Sequence, residues 1–139
     1  MDWLDWVLLL GRVLFGLLFF MSGIGHLTQP AMRDYAKGMG VPAPEILVPL
    51  TGIQIIVGSL MVVLGIWPDL GALLLFIFLV PVAFVMHRFW GLTDRMMAAT
   101  QQAHFLKNLA LAGASLALFV FFTRCADRLA LVVTGPLFK

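Results

Sequence analysis

The chain has 139 residues, of which 62% are hydrophobic and only 12% are charged, and its formal net charge is +2. A soluble domain carries about 25% charged residues, so this composition excludes an ordinary soluble domain. The basic residues form no run, which argues against nucleic acid as a partner. We therefore expect one integral membrane domain over residues 1–139, with the lipid bilayer as its surroundings.

Four apolar segments are long enough to cross a bilayer, which takes about 20 helical residues. They lie at about residues 6–27, 46–66, 70–86 and 103–122. The acidic start of the chain and Arg12 within the first segment predict a retained helix rather than a cleaved signal peptide. The sequence thus predicts an all-α, integral membrane bundle of four transmembrane helices with both termini on one side.

The segments between the predicted helices differ in length. A tight turn at Trp67-Pro68-Asp69 joins the second and third helices, whereas a long connection, residues 87–102, precedes the fourth. The tail from Arg124 onward is apolar in part but too short to span. We expect it to lie along the membrane surface.

Small residues recur along the predicted helices at spacings that keep them on one face. Residues seven apart are about two helical turns apart, and small residues let helix backbones approach closely within a membrane. We therefore expect close helix packing at Gly16 and Gly23, Gly52 and Ser59, Gly58 and Gly65, and Ala110 and Ala114.

Ionisable and amide side chains inside the membrane usually face the interior of a bundle, because exposing them to lipid is costly. For Arg12, a structural ion pair or a snorkelling side chain competes with contact to an anion or a quinone head group. Gln54 in the second helix is typical of an interhelical hydrogen bond.

The fourth helix carries a polar stripe, because Gln101, His104 and Asn108 have helical spacing. Lys107 lies in line with small residues of the same helix, which predicts that Lys107 and Asn108 both point into the bundle. For Lys107, a salt bridge or an anchor at the lipid head groups is the alternative.

These polar groups lie at similar depth in the leaflet next to the longer loops, and this favours a shared polar pocket. The predicted lining is His26, Gln54, His87, His104, Lys107 and Asn108. Arg12 forms a separate candidate site in the other leaflet. No metal site is expected, since the histidines are not paired with other ligands at metal-binding spacing.

Several stretches, taken in order, resemble the DoxX family of small bacterial membrane proteins. They are GRVLFGLLF (11–19), SGIGHL (22–27), GVPAP (40–44), the second helix from Gly52 to Gly65, HRFW (87–90), Asp94 and FLKNLAL (105–111). Each motif is weakly specific, but their order and spacing cover nearly the whole chain. The family often has lysine at the position of His26 and glutamate at that of Gln54. This chain therefore lacks the charged pair that those two family residues would form.

The resemblance implies a multi-pass protein of the bacterial inner membrane, linked to quinone-dependent or oxidative-stress systems. A quinone is then the candidate cofactor, and a soluble or membrane redox protein the candidate partner. The chain has a single cysteine, Cys125. Thiol–disulfide exchange within the chain needs two thiols, so a thiol relay is not expected.

Two functional hypotheses follow. In the first, the chain is a redox-associated subunit that binds a quinone between helices, with Arg12, His26 and His104 as head-group or proton partners. In the second, it is a non-enzymatic module for assembly, scaffolding or small-molecule permeation, which the lack of a catalytic constellation in the sequence favours.

Overall fold

The computed structural model describes residues 1–138, and this part of the chain is all-helical. The helices are α1 (Trp3–Thr28), α2 (Pro30–Gly38), α3 (Pro44–Leu64), α4 (Pro68–Met86) and α5 (Arg95–Cys125), followed by a single 3-10 turn at Ala126–Arg128. Four helices, α1, α3, α4 and α5, are long and apolar enough to cross a membrane. The predicted all-α fold with four spanning helices is confirmed.

Two features of the loops differ from the sequence expectation. The short helix α2 occupies the first connection, beginning with Pro30 at a position that needs no backbone donor. Helix α5 begins at Arg95, about two turns earlier than expected. The Asp94 side chain caps it there by accepting a hydrogen bond from Met97 N at 2.9 Å. With 31 residues, α5 is about 46 Å long and extends beyond a hydrocarbon core of about 30 Å.

The spanning helices pack in series, α1 against α3, α3 against α4, and α4 against α5. Glycines bring the backbones together at the first two contacts. A Cβ added to Gly23 would lie 2.7 Å from the carbonyl oxygen of Gly52, and one added to Gly71 would lie 2.8 Å from that of Gly58. The predicted close helix packing is therefore confirmed for the small residues within α1 and α3. Gly65 instead ends α3 in a left-handed conformation and faces the tail at Val132.

The small residues of α5 behave differently. A Cβ on Gly113 would meet no atom within 4 Å, and Ala110 and Ala114 are exposed. Helix α5 has one main neighbour, α4, which it contacts through another face, whose buried residues are Asn108, Ala112, Ser115 and Phe122. The expected close contact at Ala110 and Ala114 is wrong.

The bundle has two distinct ends. We call the end at Trp3, Leu64 and Cys125 the terminal end, and the end at Thr28 and Met86, where α2 lies, the loop end. At the terminal end the tail folds back over the helices. Backbone N–H groups of Val133 and Thr134 donate to the carbonyl of Gly65 at 3.0 and 2.9 Å.

Asp69 and Arg12 fix this tail from the α4 and α1 sides. The fully buried carboxylate of Asp69 accepts from the N–H groups of Leu137 and Phe138 at 2.9 and 2.8 Å. Arg12, only 2% exposed, donates to three carbonyl oxygens, those of Val62 (2.8 Å), Val63 (2.6 Å) and Leu131 (2.9 Å). We call Arg12, Gly65, Asp69 and residues 131–138 the terminal seal.

Candidate functional site

A cavity of about 660 Å³ lies at the loop end of the bundle. Helices α3 and α4 contribute one wall, α1 and α5 flank it, and α2 with the loop at Gly40 covers its outer end. No extensive packing joins α1 to α5 within residues 1–138, and the cavity occupies the space between them. Its volume is within the range of about 300–1,000 Å³ found for small-molecule sites.

The cavity is amphipathic along its length. Towards the middle of the bundle it is lined by apolar side chains, among them Leu18, Phe19, Phe78, Leu79 and Leu111. Towards the loops the lining adds the side chains of His26, His87, His104, Lys107 and Asn108 to further apolar ones, such as Met32 and Val41. All three histidines of the chain therefore line one cavity, and the arrangement suits a molecule with a polar head and an apolar body.

His26 is held against α3 by its Nδ1 atom. This atom lies 3.2 Å from the carbonyl oxygen of Val48 and 3.1 Å from the hydroxyl of Thr51. A carbonyl only accepts, so the contact with Val48 requires the proton on Nδ1. In the neutral ring Nε2 is then an acceptor, and the ring edge packs on Phe78 with centroids 5.7 Å apart.

A directional hydrogen-bond chain connects three helices at the mouth of the cavity. His87 Nδ1 donates to Gln101 Oε1 at 3.0 Å, and Gln101 Nε2 donates to the Tyr35 hydroxyl at 3.4 Å. The Tyr35 hydroxyl donates in turn to the carbonyl of Met86 at 2.9 Å. This chain fastens α2 to the ends of α4 and α5 and fixes the orientation of the His87 ring.

His87 also stacks on His104, with ring centroids 5.2 Å apart and planes 29° apart. Burial lowers the pKa of His87 below its ordinary value of 6.5, and the nearby His104 and Lys107 lower it further, while the hydrogen bond to Gln101 acts in the opposite direction. The neutral imidazole is therefore the favoured form of His87 near pH 7.

Asn108 and Lys107 have no protein partners at the cavity. Asn108 is 5% exposed, yet its amide makes no hydrogen bond within residues 1–138, and Lys107 forms no ion pair there. The prediction that both residues point into the bundle holds for Asn108. It is wrong for Lys107, which is exposed at the mouth while lining the cavity, because the small-residue face of α5 faces outward.

Two candidate site residues lie outside the cavity, namely Gln54, which was predicted to line it, and Arg12, which was predicted as a separate site. Gln54 donates from Nε2 to the carbonyl of Leu74 at 2.9 Å. This is the interhelical hydrogen bond that the sequence analysis expected for Gln54. Arg12 belongs to the terminal seal, where the carbonyls left free at the end of α3 take up its donors. Within residues 1–138 Arg12 forms no ion pair, and its burial excludes a snorkelling side chain.

Two residues that position histidines were not predicted, Tyr35 of α2 and Thr51 of α3. Thr51 contacts His26 directly, and Tyr35 holds His87 through Gln101. Tyr35 is the only tyrosine of the chain, and its place in a segment taken for a plain connection concealed its role. Among the described residues, no three histidine, cysteine or acidic side chains come together in a way that would hold a metal ion.

Four spanning helices around an amphipathic cavity define a multi-pass membrane protein with a candidate lipid-side ligand site. The family model of DoxX matches residues 7–88, more than half of the chain. The chain belongs to the DoxX family. No curated protein and no solved structure matched it.

Proposed function

We propose that the protein is a quinone-binding subunit of a redox or oxidative-stress system in the bacterial inner membrane. The observation that carries this proposal is the amphipathic cavity at the loop end. A quinone has a polar ring with hydrogen-bonding oxygens and an apolar isoprenoid chain, and the lining is largely apolar with most of its polar side chains on the loop side.

The position of the cavity supports access from the membrane. A ligand dissolved in lipid can enter between α1 and α5, which flank the cavity without packing closely against each other within residues 1–138. The ring then lies near His26, His104 and Asn108, and the chain extends past Leu18 and Leu111 towards the bilayer interior.

The protein's own residues bind and orient the quinone in this proposal. The acceptor Nε2 of His26 suits a hydroxyl of the reduced form, and the amide of Asn108 suits a ring oxygen. The quinone carries the electrons, and a soluble or membrane redox protein exchanges them.

The test is binding of a short-chain quinone to the purified, delipidated chain, measured by calorimetry, together with mass spectrometry of co-purified lipids. We expect saturable binding that His26→Leu weakens about tenfold, because one hydrogen bond to the ligand is lost. Thr28→Val is the matched control, since the Thr28 hydroxyl bonds only within α1, to Ile24 O at 2.8 Å.

Two results separate the hypotheses. Absence of quinone binding by the folded chain would favour the non-enzymatic module for assembly, scaffolding or permeation. Unchanged binding with lost thermal stability in His26→Leu would mean that His26 only holds α1 against α3. In that case His26→Gln, which keeps a polar group, distinguishes a folding defect from a binding defect.

A further inference from the structure

The ionisable side chains that line the cavity are bases, with one tyrosine as the exception. Its lining includes Lys107 and all three histidines, and it includes no carboxylate within residues 1–138. Besides these bases, Tyr35 is the one further titratable group in the lining. The electrostatic potential at the mouth therefore favours a ligand with negative charge.

The carboxylates at the loop end are engaged elsewhere or lie outside the lining. Glu45 pairs with Arg33 at 3.5 Å, and Asp94 caps α5. Asp34 is exposed on α2 and does not line the cavity. The positive charge of Lys107 is therefore not neutralised by a protein carboxylate at the site.

Asn108 gives a second, independent indication of a ligand. Its side chain is buried and lines the cavity without a hydrogen bond to residues 1–138. A buried polar group without a partner is costly, so its amide is available to a bound molecule. An N–H donor beside an unpaired ammonium is a combination that stabilises an anionic oxygen.

We propose that the cavity prefers a quinone whose head group is negatively charged, such as a semiquinone or an ionised hydroxyquinone. Lys107 supplies the counter-charge from the mouth, with its aliphatic stem along the cavity wall, and Asn108 donates to the charged ring oxygen. This preference rests on the proposed quinone binding and specifies the form of the ligand.

The experiment compares two probes that differ by one charge and one methyl group. They are 2-hydroxy-1,4-naphthoquinone, a vinylogous acid that is an anion at neutral pH, and its neutral methyl ether. Binding to the full chain is measured in a neutral maltoside detergent. We expect the anion to bind about tenfold tighter than the ether. Lys107→Gln removes this preference, and Lys107→Arg retains it.

Two further variants sharpen the result. Lys37→Gln removes an exposed charge on α2 outside the lining. We expect this variant to keep the preference for the anion, because the preference comes from the charge of Lys107. Asn108→Asp, nearly isosteric, reduces binding of the anion more than that of the ether. Loss of the preference in Lys37→Gln would attribute it to general surface charge and overturn the proposal.

The outcomes also separate this inference from the proposed function. Equal binding of both probes overturns the charge preference, and an undiminished preference in Lys107→Gln overturns its assignment to Lys107. Either result leaves quinone binding standing. Binding of neither probe by the folded chain overturns both.

Discussion

The two ends of the bundle use polar side chains in opposite ways. At the terminal end, Arg12 and Asp69 are fully buried and each direct their polar atoms to the protein backbone. At the loop end, Asn108 and Lys107 have no protein partners within residues 1–138 and lie at a cavity. Satisfied polar groups hold a structure together, whereas unsatisfied ones beside an open space indicate a ligand.

The largest expected effect is that of Arg12→Met. It removes three charge-assisted hydrogen bonds and leaves carbonyl oxygens of Val62, Val63 and Leu131 without these donors, so we expect a loss of about 3 kcal/mol or more in the free energy of unfolding. Thermal and denaturant unfolding in detergent measure it. Arg124→Met, an exposed arginine at the same end, is the control, and equal stability of the two variants would contradict the terminal seal.

A smaller, more local effect is expected from Asp69→Ala. It leaves the N–H groups of Leu137 and Phe138 without acceptors, at a cost of about 2 kcal/mol, and should loosen the tail. Trypsin cleavage after Arg128 should then become roughly tenfold faster. Asp2→Ala is the control, since the Asp2 side chain accepts only from Leu4 and Asp5 in the first turn of α1. Cleavage at the same rate in both variants would argue against the role of the Asp69 carboxylate.

The third prediction concerns the close approach of α1 and α3 at Gly52, next to His26. A Cβ on Gly52 would lie 2.7 Å from the Cβ of His26, so Gly52→Ala should separate α1 from α3 at a cost of about 1–3 kcal/mol and weaken quinone binding. Gly113→Ala meets open space and should be neutral or slightly stabilising. If Gly52→Ala behaved like Gly113→Ala, the close approach would be unimportant.

The smallest effect concerns pH. The pKa of His87 is lower in the folded protein than its ordinary value of 6.5. Between these two pKa values the unfolded chain binds more protons than the folded chain, so the free energy of unfolding rises with pH across this window. Acidification from about pH 7 to about pH 5 should lower the melting temperature. His87→Gln should show a weaker pH dependence, and an identical slope would mean that other groups account for it.

The sequence predicted the four spans, close packing at the glycines of α1 and α3 and the shared location of the histidines, because apolar length and residue spacing are local properties. It did not predict the partners of Arg12, since these carbonyls are available only where α3 ends and the tail folds back. The orientation of Lys107 was missed for a similar reason. Small residues mark a face that can pack closely, but they do not say whether a neighbouring helix is there.

The central claim is that the ligand binds at the loop end and that the terminal end is closed by protein contacts. Its most direct test is photolabelling of the full chain in bilayers with an azidoquinone, followed by peptide mapping. The account predicts adducts on residues 18–36 and 104–111, which line the loop-end cavity, and their suppression by excess unlabelled quinone. Competable labelling around Arg12 and residues 131–138 instead would contradict it, because it would place the ligand at the end that the structure seals.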